Sequence, residues 1–327
     1  MTKGVIRALA KIVVCALAAL VVLAIAGFVA MIYFSFFRAT FARHEFTQSD
    51  ADDLRYWVTE DNVKQHYSDV AWFEAQNPQE LEATSFDGLK LSASLLEADA
   101  AKGVAILMHG FHSEPLREFA TIARLYHDEG YTVILPYHRA HGKSEGRYLT
   151  FGVKERRDCA TWVEVAARLY GEGCDIFLHG ISMGCATVLM ASGLDLPANV
   201  RGIVADCGFT SPYDITYWTC LQRGIERPQG AMKLCGVFSR HLAGFDLAEY
   251  STLDAMEVNT TPVLFITGTE DKRVPMEMTM RNYEACAAPK ELLLIEGSPH
   301  AINYFWDAPK YNSALLAFLK QYGTQGE

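Results

Sequence analysis

The sequence has little positive charge. Its 29 lysines and arginines stand against 39 aspartates and glutamates, which gives a formal net charge of −10 over 327 residues. A protein that binds nucleic acid needs a basic stripe to neutralise phosphates, so this balance argues against a nucleic-acid partner. Internal repeats and low-complexity segments are also missing, and a chain that is 50% hydrophobic and 21% charged has a composition ordinary for a globular protein with a membrane segment.

Paired cysteine motifs are absent as well. None of the eight cysteines lies in a Cys-x-x-Cys pattern, so neither a zinc ribbon nor a thioredoxin-type redox site is predicted. Cys15 lies in an apolar run, and most of the other seven are interpreted as small buried apolar residues. If the body of the protein lies outside the cell, Cys220 and Cys235 are candidates for a disulfide, but spacing alone does not show pairing.

One long apolar run lies near the N-terminus. Residues 12 to 37 form 26 positions without a charge or a histidine, preceded by Lys3, Arg7 and Lys11. As a helix this run is roughly 39 Å long, enough to cross a hydrocarbon core of about 30 Å. The small residues at 24–26 are also compatible with a cleaved signal peptide, but the chain stays apolar after them, which favours an uncleaved anchor.

The basic residues around this run predict its orientation. Three precede it, and Arg38 and Arg43 follow it. This distribution favours a cytoplasmic N-terminus and an extracytoplasmic body. We therefore predict a single-pass cell-membrane protein with an anchor over residues 1–38 and a linker or packing segment over 39–80.

Short apolar runs and helix-length segments alternate from residue 81 onward. Residues 81–86 and 89–98 flank Asp87-Gly88, a turn signal that predicts a β-hairpin. Six continuous apolar runs then fit strands buried on both faces of a sheet: 104–110, 132–137, 175–180, 202–208, 262–268 and 291–297. Five segments have helical length: 116–129, 152–170, 183–193, 275–287 and 309–322. The pattern predicts an α/β fold with a mostly parallel central sheet flanked by helices over residues 81–327. The segment 209–260 is too long for a simple crossover and is interpreted as a small helical cap.

The stretch HGISMGCA, residues 179–186, places Ser182 between two glycines directly after an apolar run. Glycine weakens strands and helices, so its presence on both sides indicates a backbone that a side chain would obstruct. A strand, Gly-x-Ser-x-Gly and a helix form the nucleophile elbow, in which a tight turn presents the serine hydroxyl above the sheet. Ser182 is thus the candidate nucleophile.

A serine nucleophile needs a base to take its proton and an acid to orient that base. In the elbow fold the order along the chain is serine, acid, histidine. Asp271 and His300 follow the last two predicted strands, at the edge where open α/β sheets carry their chemistry. Asp206 is the rival acid, and Glu270 is a weaker rival.

The developing negative charge on the substrate needs two backbone N–H donors. One is predicted at Met183, directly after the nucleophile. The other is predicted at Phe111, in the loop after the first parallel strand. His109 is interpreted as a scaffold residue that holds this loop.

Two other motifs are excluded as functional sites. The Gly142-Lys143-Ser144 sequence would need a glycine at position 137 to form a phosphate-binding loop, and that residue is tyrosine. Two His-x-x-His pairs, at 109–112 and 138–141, have no adjacent acidic or cysteine ligand. No metal and no cofactor are predicted.

Six motifs resemble the α/β-hydrolase superfamily, and more narrowly its membrane-anchored bacterial serine hydrolases, including the dipeptidyl-aminopeptidase-like hydrolases. They are LMHGF, HRAHGKSEG, HGISMGCATVLMASG, IVADCGFTSPYD, ITGTEDKRVP and EGSPHA. The resemblance covers about residues 80–322 and implies Ser182 as nucleophile, Asp271 as acid, His300 as base and donors at Met183 and Phe111. Relatives often read Asp-x-Arg-Gly-His-Gly where this chain reads Tyr137-His138-Arg139-Ala140-His141-Gly142.

These observations predict a serine hydrolase that cleaves a carboxylic ester or related acyl bond of a small molecule through an acyl-enzyme. A membrane tether places the site near acyl chains, which favours an ester substrate. A peptidase of short peptides and a non-catalytic binding module on the same fold remain alternatives. The oligomeric state is left open.

Overall fold

The computed structural model describes residues 3–43 and 59–324. Residues 44–58 of the predicted linker lie outside this part of the chain.

A mostly parallel sheet forms the centre of the protein. Its eight strands within the described residues are β1 (Gln79–Thr84), β2 (Lys90–Leu96), β3 (Gly103–Met108), β4 (Tyr131–Pro136), β5 (Asp175–Ile181), β6 (Val200–Asp206), β7 (Val263–Gly268) and β8 (Lys290–Ile295). Their order across the sheet is β1-β2-β4-β3-β5-β6-β7-β8. The β1–β2 and β2–β4 pairs are antiparallel, and all pairs from β4 to β8 are parallel. The buried strands are continuous apolar runs because both faces of the sheet are covered.

Helices cover the sheet and extend the chain at its N-terminus. They are α1 (Lys3–Phe41), α2 (Glu60–Ala75), α3 (Pro115–Asp128), α4 (Glu155–Tyr170), α5 (Met183–Ala191), α6 (Pro212–Gln222), α7 (Gln229–Phe238), α8 (Thr252–Val258), α9 (Met276–Ala285), α10 (Asn303–Trp306) and α11 (Ala308–Tyr322). Apolar side chains of α2, α3 and α11 join one buried cluster with the strands, and those of α4, α5, α8 and α9 join another. Sheet and helices therefore form three layers with a hydrophobic core on each side of the sheet.

The helix α1 is long and apolar enough to cross a membrane, with a mean hydropathy of 3.1 in its most apolar window. Most of its side chains are exposed. Its last turns, where Tyr33–Arg38 are π-helical, instead bury Phe36, Phe37 and Phe41. Most of the helix therefore exposes its apolar side chains, and only its C-terminal end packs against the rest of the protein.

The cap segment, residues 209–260, contains α6, α7, α8 and a π-helical turn at Ser239–Ala243. A third buried cluster joins its apolar side chains to those of the α1 end and of the turn at Met183. The Trp218 indole N–H donates to the Lys272 carbonyl, which ties the cap segment to the loop after β7. The cap segment therefore packs beside the carboxyl ends of the central strands.

The predicted α/β architecture is confirmed, including every predicted strand and helix. The hairpin differs in its turn: the last strand pair is Thr84 with Lys90, so the loop comprises residues 85–89 rather than Asp87-Gly88 alone. The Ser85 N–H donates to the Leu89 carbonyl, and Gly88 takes a φ of +87° inside this loop. All eight cysteines are free, so Cys220 and Cys235 form no disulfide.

Candidate active site

The turn at Ser182 explains both flanking glycines. β5 ends at Ile181 and α5 begins at Met183, which leaves Ser182 alone at a strained φ of 56° and ψ of −113°. A Cβ on Gly184 would meet the Met108 carbonyl oxygen, and a Cβ on Gly180 would meet the backbone of Gly184. Only glycine fits at these two positions, because the turn presses the helix start against the neighbouring strand.

Ser182, His300 and Asp271 form one hydrogen-bonded chain. The Ser182 hydroxyl lies 2.9 Å from Nε2 of His300, and Nδ1 of His300 lies 2.7 Å from Oδ2 of Asp271. The side chain of Asp271 is fully enclosed and that of His300 is 10% exposed. With the Nδ1 proton directed to the carboxylate, Nε2 is left as the acceptor for the serine hydroxyl.

Backbone groups hold the Asp271 carboxylate in place. Its Oδ1 accepts the N–H groups of Arg273 at 2.9 Å and Val274 at 2.8 Å. These bonds leave Oδ2 for His300. The loop after β7 therefore fixes the carboxylate that orients the imidazole.

The two rival acids have other surroundings. Asp206 accepts hydrogen bonds from the Asn303 amide at 2.6 Å and from the Tyr311 hydroxyl at 3.0 Å. Each of its two carboxylate oxygens therefore bonds to a group other than His300. Burial raises the pKa of Asp206 to about 6, against the lowering effect of these hydrogen bonds. Glu270 is exposed. Of the three carboxylates, the structure brings Asp271 to His300.

The two predicted N–H donors lie on the elements expected of them. Met183 is the first residue of α5, where a backbone N–H has no acceptor within the helix. Phe111 lies in the loop that follows β3, and its ring belongs with Met183 to the third buried cluster. Met183 thus directly follows the Ser182 turn, and the Phe111 ring packs against the cluster that contains Met183.

His109, the predicted scaffold residue, bonds to the residue before Phe111 and to the loop at His138. The His138 N–H donates to Nε2 of His109 at 3.1 Å, so His109 carries its proton on Nδ1, which lies 2.8 Å from the Gly110 carbonyl. Burial and the neighbouring histidines lower the pKa of His109 well below its ordinary value, which keeps the ring neutral. Both ring nitrogens are engaged in this network.

Glu118 is a residue of the site that sequence reasoning missed. Its Oε2 accepts the N–H of Gly110, directly before Phe111. Burial raises the pKa of Glu118 to about 7, although this hydrogen bond opposes the shift. Glu118 lies on α3 outside any recognisable motif, so its proximity to the site follows only from the packing of that helix.

The loop that departs from the Asp-x-Arg-Gly-His-Gly pattern still carries its arginine. Arg139 is buried and pairs with Asp158 at 2.6 Å and with Asp87 at 2.9 Å. Ala140 stands where relatives often carry glycine and takes a φ of +59°, in the left-handed region. The backbone conformation that favours glycine is therefore retained with an alanine.

One group of side chains at the site has a donor set compatible with a metal ion. Cys207, Asp271 and His300 place sulfur, oxygen and nitrogen atoms within 4.8 Å of one another. Such donors suit Zn²⁺. Two of the three already bond to each other, and the geometry above accounts for them without an ion.

A cleft of about 550 Å³ opens beside His300. Its lining combines apolar side chains with positive and negative ones, among them Phe111, Arg117, Glu118, Lys272, Arg273 and Phe305. The volume lies in the range of small-molecule sites.

Comparison with known proteins identifies the chain's relatives. The model of the prolyl oligopeptidase family matches residues 117–325. An uncharacterised Bacillus subtilis protein, YqkD, is 28% identical over 215 residues, which cover 65% of this chain and 70% of that protein.

Two solved structures show the same fold. An esterase from Pyrococcus furiosus superposes with a TM-score of 0.64 at 23% identity, covering 77% of this chain and 94% of the esterase. An acylaminoacyl peptidase from Pyrococcus horikoshii gives a TM-score of 0.55 at 16% identity, covering 76% of this chain and 42% of the peptidase. At these identities the likeness establishes the fold alone.

Proposed function

The chain belongs to the prolyl oligopeptidase family of α/β hydrolases, and from this premise we propose that it is a serine hydrolase with Ser182 as nucleophile. The observation that carries the proposal is the hydrogen-bonded chain from Ser182 through His300 to Asp271. A serine, a base and a carboxylate in this geometry are the parts that acyl transfer requires.

In the first half of the proposed reaction the Ser182 hydroxyl attacks a substrate carbonyl carbon. Nε2 of His300 takes the hydroxyl proton as the Oγ–carbon bond forms. The imidazolium carries its positive charge beside the Asp271 carboxylate, which stabilises it without taking a proton. His300 then gives the proton to the leaving alcohol or amine, and an acyl-enzyme remains.

The negative charge on the carbonyl oxygen develops beside the start of α5. We assign the N–H groups of Met183 and Phe111 as its hydrogen-bond donors, together with the positive end of the helix dipole. Glu118 and His109 act on this charge indirectly, because they hold Gly110 and so position the N–H of Phe111.

The second half of the reaction repeats these steps with water as nucleophile. His300 takes a proton from the water as the oxygen attacks the acyl carbon. The proton then returns to Ser182 Oγ as the acyl bond breaks. The products are a carboxylic acid and the regenerated serine.

A carboxylic ester is the substrate class that we favour. Apolar side chains line part of the cleft beside His300, among them Phe111, Ile302 and Phe305, and they suit the acyl or alkyl part of such a molecule. A peptidase of short peptides is the second candidate, supported by the family itself and by the acylaminoacyl peptidase that shares the fold.

We also propose that α1 is a membrane anchor rather than a cleaved signal sequence. Its exposed apolar side chains suit a lipid environment, and the three basic residues before it favour a cytoplasmic N-terminus and an extracytoplasmic body. The proposed organisation is an anchor over residues 1–38, a linker over 39–80 and a hydrolase domain over 81–327 with a cap at 209–260. An N-terminal epitope tag tests this proposal. A tag that is still attached to the mature protein in the membrane fraction supports an uncleaved anchor, and loss of the tag supports cleavage.

Labelling of the full-length protein in detergent with a fluorophosphonate tests the proposed nucleophile. Wild type is expected to be labelled covalently and Ser182→Ala is expected not to be. Ser192→Ala, at the other end of α5, is the matched control and should label like wild type. A folded wild type that resists the probe would overturn the hydrolase and favour a binding module.

Chromogenic substrates separate the two substrate classes. We expect p-nitrophenyl esters of short fatty acids to be cleaved with a higher kcat/KM than aminoacyl p-nitroanilides of matched size. The opposite ranking would assign the protein to the peptidases.

A further inference from the structure

The end of α1 packs against the cap segment and the loop that ends at Phe151, beside the proposed active site. We infer that residues 36–43 are a positioning element of catalysis, because they hold the loop 137–151 and through it the loop that carries Phe111. This inference rests on the proposed function, since it assigns the end of α1 and the residues directly after it a role in that same site.

Two aromatic side chains of this segment are fully enclosed. Phe37 lies 5.5 Å from Phe238 of the cap segment and 5.7 Å from Tyr148, measured between ring centroids. Phe41 lies 5.1 Å from Phe151. Both Phe37 and Phe41 have no exposed surface, whereas Phe34, in the same turns of helix, is 58% exposed. The chain therefore turns selected faces of the helix end toward the body.

Backbone hydrogen bonds continue the contact beyond the helix. Ala42 forms an antiparallel bridge with Tyr148. The Leu149 N–H donates to the Phe41 carbonyl at 2.9 Å, and the Arg43 N–H donates to the Arg147 carbonyl at 2.8 Å. The segment is thus paired with the loop as a short strand would be.

The Arg43 side chain holds a second part of the same loop. Its guanidinium donates to the Ser144 carbonyl at 2.6 Å and also to the Gly142 carbonyl. A few residues earlier in this loop, the His138 N–H donates to His109. Arg43 therefore fastens the loop that sets the orientation of the His109 ring.

Phe151 is the aromatic link from Phe41 to the oxyanion side of the site. Its ring stacks on Phe111 with centroids 5.3 Å apart and an interplanar angle of 29°. Phe151 takes a φ of +52°, a conformation that a bulky residue adopts only where its surroundings enforce it. The rings of Phe41, Phe111 and Phe209 all contact the Phe151 ring.

These contacts form two routes from residues 41–43 to the N–H of Phe111. The aromatic route runs from Phe41 through Phe151 to Phe111. The polar route runs from Arg43 through the His138 loop to His109 and Gly110. Loss of either route is expected to displace an oxyanion donor while leaving Ser182, His300 and Asp271 in place.

The test compares Phe41→Ala with Phe34→Ala in the full-length protein in one detergent. A misplaced donor lowers kcat, so we expect Phe41→Ala to lose about 10-fold to 100-fold in kcat, with a smaller rise in KM because the Phe111 ring also lines the cleft. The rate of fluorophosphonate labelling should fall by a similar factor, because the phosphonyl oxygen occupies the same position. Phe34→Ala should match wild type in all three quantities.

Arg43 variants cover the case in which Phe41→Ala does not fold. Arg43→Met removes the bonds to Gly142 and Ser144 and should lower kcat with little change in KM, and Arg43→Lys should restore part of the loss. Wild-type kcat in a folded Phe41→Ala, or in Arg43→Met if Phe41→Ala is unfolded, would overturn the inference. Failure of wild type itself to label would instead overturn the proposed function, so the two failures are distinguishable.

Discussion

The Asp271 carboxylate lies 2.7 Å from Nδ1 of His300, on a loop whose backbone holds its second oxygen. Asparagine at this position has the same shape but loses the charge that orients and stabilises the imidazolium.

Substitution of each carboxylate by an amide distinguishes the role of Asp271 from that of Asp206. Asp271→Asn should lower kcat by roughly 10³ or more, by comparison with the acids of other triads. Asp206→Asn should keep more than about a tenth of the wild-type rate, because Asp206 bonds to Asn303 and Tyr311 rather than to His300. Steady-state kinetics on a soluble ester measures both, and the reverse ranking would exchange their roles.

The glycine after the nucleophile is predicted to be irreplaceable. In Gly184→Ala the new methyl group meets the Met108 carbonyl, a backbone atom that has no freedom to move within the sheet. The expected loss in the free energy of unfolding is about 1–3 kcal/mol, with little remaining activity. Gly230→Ala is the matched control, since nothing lies within 4 Å of its Cβ position, and it should be neutral or stabilising by up to about 1 kcal/mol. Thermal unfolding in detergent compares the two, and equal midpoints would contradict the prediction.

Loss of a buried ion pair is expected to lower the free energy of unfolding much more than loss of an exposed one. Arg139→Met leaves the buried Asp158 carboxylate without its cation and should cost about 3–5 kcal/mol in the free energy of unfolding. Arg240→Met removes an exposed pair with Asp246 and should cost less than about 1 kcal/mol. A small effect of Arg139→Met on denaturant midpoints would show that Asp158 is not enclosed as described.

Glu118 should make stability depend on pH. Burial raises its pKa to about 7 from an ordinary value of 4.5, so the folded protein holds a proton that the unfolded chain releases between these two pH values. Stability contributed by this group is therefore complete below about pH 4.5 and is lost as the pH rises toward 7. Glu118→Gln keeps an oxygen for the Gly110 N–H but does not titrate, so its unfolding midpoint should fall less than that of wild type across this range. If the unfolding midpoints of wild type and Glu118→Gln change with pH in parallel, Glu118 is not the source of the pH dependence.

The sequence predicted those parts of the protein that depend on local patterns. Each parallel strand is a short apolar run with its own start and end, and the glycines around Ser182 report a backbone contact that no side chain tolerates. The order of serine, acid and histidine then placed Asp271 and His300 on adjacent loops. Asp206 remained a rival because its partners, Asn303 and Tyr311, come from the far end of the chain.

The features that sequence analysis missed depend on contacts between distant segments. Phe37 and Phe41 have the same apolar character whether they face lipid or protein, so the apolar pattern did not show that the helix end packs on the body. Arg43 was interpreted through its charge near the membrane, although its guanidinium bonds to the Gly142 and Ser144 carbonyls. Glu118 lies among ordinary charged residues of a surface helix, and only the position of α3 brings it to Gly110.

The strand order has a consequence for how the protein is made. β3 is central, yet one of its neighbours, β5, begins at Asp175, long after β3 has left the ribosome. Pairing between such distant segments is slow, and the nascent chain carries an unpaired apolar strand while it waits. His300 and Tyr311 follow β8 along the chain, so the site closes only after all eight of these strands have been synthesised. A chain that stops early is therefore expected to be inactive and prone to aggregation rather than partly active.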